Sequence, residues 1–159
     1  LPDDQFTPRK ASAGSVCMHA TGFLNPRETV GTMIVELRQD RPATLWLTGT
    51  SNPCTSLLKP FFFETNTLLE NTLTLPSAKP DESLWWKAFR VHALMRKQYQ
   101  KILPGIKSHR NEIQAQFFLK EKELMDNFSI KNAEHLSRLS LDLDIEFLIW
   151  LERHGLVSS

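Results

Sequence analysis

Two cysteines, six glycines, one tyrosine and a net charge of only +1 in 159 residues are the scarcities of this sequence, and each removes a class of protein. Cys17 and Cys54 are too few for a disulfide framework and lack zinc-finger spacing. They are either reduced, part-buried thiols or one bridge in an oxidising compartment. The six glycines form no phosphate-cradling loop, and no GxSxG or SxxK pattern marks a serine nucleophile. The histidines (His19, His92, His109, His135 and His154) never fall at helical ligand spacing or in an HExxH arrangement. Neither a metal nor another cofactor is therefore expected. A near-neutral charge exerts no global pull on nucleic acid or anionic membrane. No apolar run approaches the roughly 18 residues of a membrane span. The opening Leu1-Pro2-Asp3-Asp4 has no signal-peptide character, so the expected location is cytoplasmic. Its first residue is Leu rather than Met, which gives the expectation of a truncated or processed chain with residues upstream.

What is present points to a folded chain of about one domain: 41% apolar residues, with ten Phe and four Trp. The pattern changes near Pro80, giving a strand-and-loop region over 1–80 and a helical region over 81–159, together one domain or a fragment of a larger one. Alternation with period two predicts strands over 15–20, 32–38 and 44–48. The second and third are joined by Gln39-Asp40-Arg41-Pro42 as a hairpin. These three form a meander whose second face is covered by something outside the chain. Residues 50–79 read as irregular because of Pro60, Pro76 and Pro80, with Phe61-Phe62-Phe63 as a short buried strand. Helical spacing then predicts a first helix capped by Asp81 and ended by Pro104-Gly105. A second covers about 106–126, with Ile113, Phe117 and Leu124 inward. A third follows Ser129 through Leu136, Leu143, Phe147 and Trp150 to Gly155. Alternation over 139–147 is strand-like, but Trp150 and Leu151 continue a helical face. The fold class is α+β: an antiparallel sheet with covering C-terminal helices.

Three groups of residues invite a chemical reading. Lys87, Arg90, Arg96, Lys97, Lys101, Lys107 and Arg110 make a basic stretch beside Trp85, Trp86 and Tyr99. Such a stretch tracks nucleic-acid phosphates, or is a solvated face whose charge the acidic segment after Glu112 offsets. Cys17 and His19, two apart on a strand, share a face. That placement suits a thiol activated by an imidazole, or a face simply covered by the rest of the protein. Thr48, Thr50 and Asn52 mark a strand end entering a polar loop. There they orient a peptide substrate, or satisfy the turn's own backbone groups. His92 falls on an apolar helix face, as a hydrogen-bonded core residue does, and His154 suits a helix C-terminus.

Two segments carry a family likeness. Ser12-Ala13-Gly14-Ser15-Val16-Cys17-Met18-His19 leads through Thr32-Met33-Ile34-Val35 to Leu45-Trp46-Leu47-Thr48-Gly49-Thr50-Ser51-Asn52-Pro53-Cys54, then Ser56-Leu57-Leu58-Lys59-Pro60-Phe61. Over roughly residues 12–103 this resembles the C-terminal region of the secernin and cysteine-dipeptidase family of N-terminal-nucleophile hydrolases. The stretch from Trp46 to Phe61 is its specific part, and Leu84-Trp85-Trp86-Lys87-Ala88 is loosely similar to the family's closing helices. The resemblance implies a four-layer αββα sandwich and a Cys at the mature N-terminus that attacks a peptide or amide bond. The α-amino group of that Cys serves as base, with an ordinary pKa of roughly 8. The nucleophile has no counterpart here, since Leu1 is not Cys and Cys17 matches an interior strand position; no catalytic residue carries over. The expected partners are the N-terminal portion of a parent protein and a peptide or amide substrate, with a homo-oligomer also open. The rival readings are a non-catalytic interaction module of the same fold and a nucleic-acid-binding domain using helix 87–110.

Overall fold

A computed structural model describes residues 11, 15, 17–20, 23–24, 27–65 and 75–155. Three short antiparallel strands form one sheet: β1 (Met33–Glu36), β2 (Thr44–Leu47) and β3 (Lys59–Phe62), in the order β1-β2-β3. Three helices follow: α1 (Leu84–Met95), α2 (Tyr99–Asp126) and α3 (Ile130–Gly155). The architecture is α+β. The expected hairpin is present, with Val35 opposite Leu45 and Glu36 opposite Thr44. The third strand differs from expectation. It comes from Lys59-Pro60-Phe61-Phe62, and the described residues between 15 and 20 lie outside the sheet. Val16 is not among the described residues. Pro60 is accommodated because β3 is an edge strand, where one N–H need not enter a ladder.

β2 alternates buried Thr44 and Trp46 with half-buried Leu45 and Leu47, as a strand with one covered face should. β3 is buried at all four positions because the helices lie over it, with Ser137 Oγ of α3 donating to the Pro60 carbonyl at 2.8 Å. Trp46 and Leu57 join Ala88, Val91 and Met95 of α1, Ile113 and Phe117 of α2, and Phe147, Leu148 and Leu151 of α3 in one apolar core. Regions 1–80 and 81–159 thus share their interior. Phe62 seeds a second cluster with Leu124, Met125, Ala133 and Leu136.

The helix boundaries depart from the sequence reading in two places. Ser83, not Asp81, caps α1, its hydroxyl accepting from the Trp86 N–H at 3.4 Å. Asp81 instead receives the backbone N–H groups of Ser77 and Ser83, at 2.7 and 2.8 Å. Pro104 does not end a helix. It lies in the second turn of α2, and the break falls earlier, in a 3-10 turn at Arg96–Gln98. An internal proline costs about 3 kcal/mol; burial of Tyr99 and Ile106 on either side of it offsets that cost. The ambiguous 139–147 segment is helical.

The most demanding buried group is the Lys59 ammonium, in a side chain only 3% exposed. Its Nζ lies 2.6 Å from Asp144 Oδ2 on α3, 2.6 Å from the Thr48 carbonyl beyond β2, and 3.4 Å from the Leu57 carbonyl. An ammonium has three protons, and these three acceptors match them. Burial pushes the Asp144 carboxyl above its ordinary range, while Lys59 pulls the other way. A nearby network links Arg38, Thr44 and Glu121: Arg38 donates to the Thr44 hydroxyl at 2.9 Å and pairs with Glu121 at 2.9 Å. Asp144→Ala should destabilise the fold by about 3–5 kcal/mol, because it leaves a buried charge without its counterion. The paired change Lys59→Met with Asp144→Leu should recover most of that loss in urea denaturation.

Candidate functional site

The turn from Thr48 to Ser56 is built from short polar side chains bonding to their own backbone. Gly49 at φ +63° and Asn52 at φ 56° take the left-handed conformation that lets the chain reverse after β2. The Thr48 hydroxyl accepts from the Thr32 N–H at 2.9 Å, and the Thr50 hydroxyl meets that of Ser56 at 2.9 Å. The Asn52 carbonyl accepts from the Thr55 N–H at 3.0 Å. Thr48, Thr50 and Asn52 are thus all buried, and the two hydroxyls are engaged within the turn and its neighbour strand. The Asn52 N–H donates to the Thr29 carbonyl at 3.1 Å, which ties the turn to residues 27–30.

His92 supports this turn from α1. Its ring is almost fully buried, and Nδ1–H donates to the Ser51 carbonyl at 2.7 Å. Nε2 then carries the lone pair. Nε2 of His92 and Oδ1 of Asn52 are buried acceptors with no hydrogen-bond partner among the described residues. Burial lowers the His92 pKa to about 4, outweighing the Ser51 bond, which favours the charged form. His92 is the hydrogen-bonded core residue that its helical position suggests.

The tertiary structure adds a group of three donors. Residues 17–19 are held against Thr29 by two bonds: the Met18 N–H donates to the Thr29 hydroxyl at 2.9 Å, and the Thr29 N–H to the Met18 carbonyl at 2.8 Å. The short 3-10 turn Pro53–Thr55 presents Cys54 to the same place. His19 Nε2 lies 3.4 Å from Cys17 Sγ and 3.4 Å from Cys54 Sγ. The three ligand-type atoms all fall within 4.8 Å of one another. His19 is buried, whereas both thiols are part-exposed. Arg110 donates Nη1–H to the Cys54 carbonyl, and burial together with Cys54 pushes the Tyr99 hydroxyl above its ordinary range.

The two thiols divide their roles. Cys17 is held well below the ordinary thiol range, first by a hydrogen bond from Cys54, against burial, and then by His19. Cys54 is pushed up by the same bond and by burial. Each thiol thus shifts the other, Cys17 downward and Cys54 upward. Pairing Cys17 with His19 was readable from their spacing; Cys54, which lies 35 residues from His19, was not.

The basic stretch is engaged elsewhere. Lys87 and Arg90 reach Glu82 at 3.8 and 3.7 Å, and Arg96 pairs with Glu28 at 2.9 Å. These acids lie before the stretch, so in these pairs the charge is not offset by the segment after Glu112. A cleft of about 520 Å³ lies between α1 and α3, lined by Leu84, Val91, Leu94, Ile145, Leu148 and neighbouring charged residues. It includes none of Cys17, His19, Thr48, Thr50, Asn52 or Cys54. No described helix is long and apolar enough to cross a membrane.

Two outcomes are expected of this site. In metal-free reduced protein, iodoacetamide should alkylate Cys17 before Cys54 at neutral pH, and Cys54→Ala should slow Cys17 by removing the S–H donor; peptide mass mapping reads both. His92 gives a pH dependence. Its folded pKa is near 4 against 6.5 for the free side chain, so the fold accepts the neutral ring. Its stabilising contribution is intact above the unfolded value and is lost as pH falls toward the folded one. Between neutral pH and about pH 5 the loss is about 2 kcal/mol, and His92→Gln should show a correspondingly smaller acid sensitivity in denaturant titrations.

Comparison with known protein families, curated proteins and solved structures gave no match to this chain.

Proposed function

We propose that this chain is the C-terminal part of a dipeptidase-like amide-bond hydrolase whose N-terminal Cys nucleophile is supplied by a preceding portion of the protein. The observation that carries the reading is β1. Met33, Ile34 and Val35 are 63%, 50% and 40% exposed, and Leu37 just beyond them is 80% exposed. β1 is also the outer strand, so one row of its backbone N–H and C=O groups faces away from the sheet. Soluble proteins guard such apolar edges with charge, proline, a bulge or a covering element. Here Glu36 is the only charge within the strand. Such a sheet suits extension or covering by another segment, as an αββα sandwich built from two portions of one protein requires.

In this reading the turn over 48–56 helps shape the substrate pocket through its backbone, since its hydroxyls are engaged internally. The attacking thiol, and the α-amino group that takes its proton, come from the N-terminal portion. The non-catalytic interaction module is the alternative with the same exposed strand. The two differ in what precedes residue 1.

The test is the intact mass and N-terminal residue of the natural protein, followed by an assay on dipeptides. A longer natural chain that begins with Cys and loses hydrolysis when that Cys becomes Ala supports the hydrolase. A natural chain that begins at or near Leu1 and hydrolyses no dipeptide overturns it and leaves the interaction module. Ile34→Lys should change this chain's own stability by no more than about 0.5 kcal/mol, as exposed substitutions do. In the full protein it should sharply reduce activity by disturbing the join at β1.

A further inference from the structure

We infer that Cys17, His19 and Cys54 form a binding site for one soft or borderline divalent metal ion, of which Zn2+ is the natural occupant. The inference is independent of the hydrolase reading. Its basis is that one nitrogen serves two sulfurs. His19 Nε2 is 3.4 Å from each Sγ, yet a single ring nitrogen offers one lone pair or one N–H, enough for one good hydrogen bond. Two thiols converging on it are explained better by a common electrophile at their centre. The spacing agrees. Tetrahedral zinc with Zn–S of about 2.3 Å and Zn–N of about 2.0–2.1 Å sets its donors roughly 3.6 Å apart for sulfur and nitrogen and roughly 3.8 Å for two sulfurs. The observed separations are 3.4 Å and 3.4 Å, with no donor pair beyond 4.8 Å. Ion entry requires only small side-chain adjustments.

The donor set and its surroundings fit this ion. Two thiolates neutralise a divalent cation, and an imidazole completes a Cys2His set that leaves a fourth position for water or a ligand. The donors sit on pieces of backbone held in place beforehand. Two hydrogen bonds to Thr29 hold residues 17–19, and the Pro53–Thr55 turn and Arg110 hold Cys54. Tyr99, which interacts with Cys54, is placed to serve as an outer partner of that sulfur. Part-exposure of both thiols gives the ion a way in. A nucleophile reading explains Cys17 and His19 but leaves the second thiol in the way. A disulfide reading explains the thiols but not the imidazole nitrogen 3.4 Å from both of them.

The experiment uses the full natural protein, reduced and stripped of metal. Co2+ is the spectroscopic probe, and Zn2+ is the competitor. The expected result is one equivalent bound, with a thiolate-to-cobalt charge-transfer band, the intense visible bands of a tetrahedral site, and displacement by Zn2+. Peptide mass mapping should also show Cys17 and Cys54 both protected from alkylation once Zn2+ is added. Cys17→Ser, Cys54→Ser and His19→Gln should each weaken binding by no less than the roughly 10- to 100-fold lost with an outer partner. A wild-type protein with no charge-transfer band at one equivalent overturns the site, as does Zn2+ addition that leaves both thiols reactive. Unchanged affinity in a folded Cys54→Ser variant also overturns it. The wild-type alkylation readout decides the question even where a variant does not fold.

Discussion

A buried ammonium must find an acceptor for each of its protons, and in this fold that requirement falls on Lys59. Its three acceptors come from α3, from the end of β2 and from the residues leading into β3. Removing the charge from water costs several kcal/mol before any pairing repays it. The fold meets this cost only when the strand, the turn and the helix are together. The pair therefore specifies an arrangement rather than merely adding stability. With β3 fixed against α3, Trp46 and Leu57 meet the helical core, and the chain between β2 and β3 must reverse over residues 48–58.

That reversal creates the polar turn and everything attached to it. A chain that turns while buried leaves backbone groups without water, and Thr48, Thr55 and Ser56 supply the missing partners, with the Thr50 hydroxyl bonded to that of Ser56. His92 contributes from the helical layer through Ser51. The same turn brings Cys54 to Cys17 and His19, so the three-donor group follows from the way the interior is satisfied. Their proximity also drives the two thiols apart in acidity, Cys17 downward and Cys54 upward.

The sheet's other side has a different character. β3 is covered throughout, while β1 carries apolar side chains in water and an open row of backbone groups. The asymmetry suits a sheet completed by another portion of the protein, which is how the proposed hydrolase would be assembled. The donor group stands near the covered turn and does not depend on that completion. The proposed metal site and the proposed hydrolase reading thus rest on separate parts of the chain.

The α+β class, the hairpin between residues 32 and 48, and the three-helix tail were legible because local periodicity decides them. Alternation marks strands, three- and four-residue spacing marks helices, and Ile113, Phe117, Leu136 and Phe147 face inward as spaced. The places where that reading failed are those where distant contacts outweigh local signals. Pro60 suggested irregular chain, yet it sits in an edge strand where its missing N–H is harmless. Pro104 suggested a helix end, yet the flanking buried residues carry the helix through it. Cys17 and His19 looked related because two residues on an extended chain share a face. Cys54 could not be added, and Lys59 and Asp144, 85 positions apart, could not be paired. Sequence alone determined which segments are helix or strand and which faces are apolar, because those depend on neighbours a few residues away. Only the tertiary structure decided which distant carboxylate meets Lys59 and which second sulfur joins Cys17 and His19, because that depends on packing the whole chain around one buried cation.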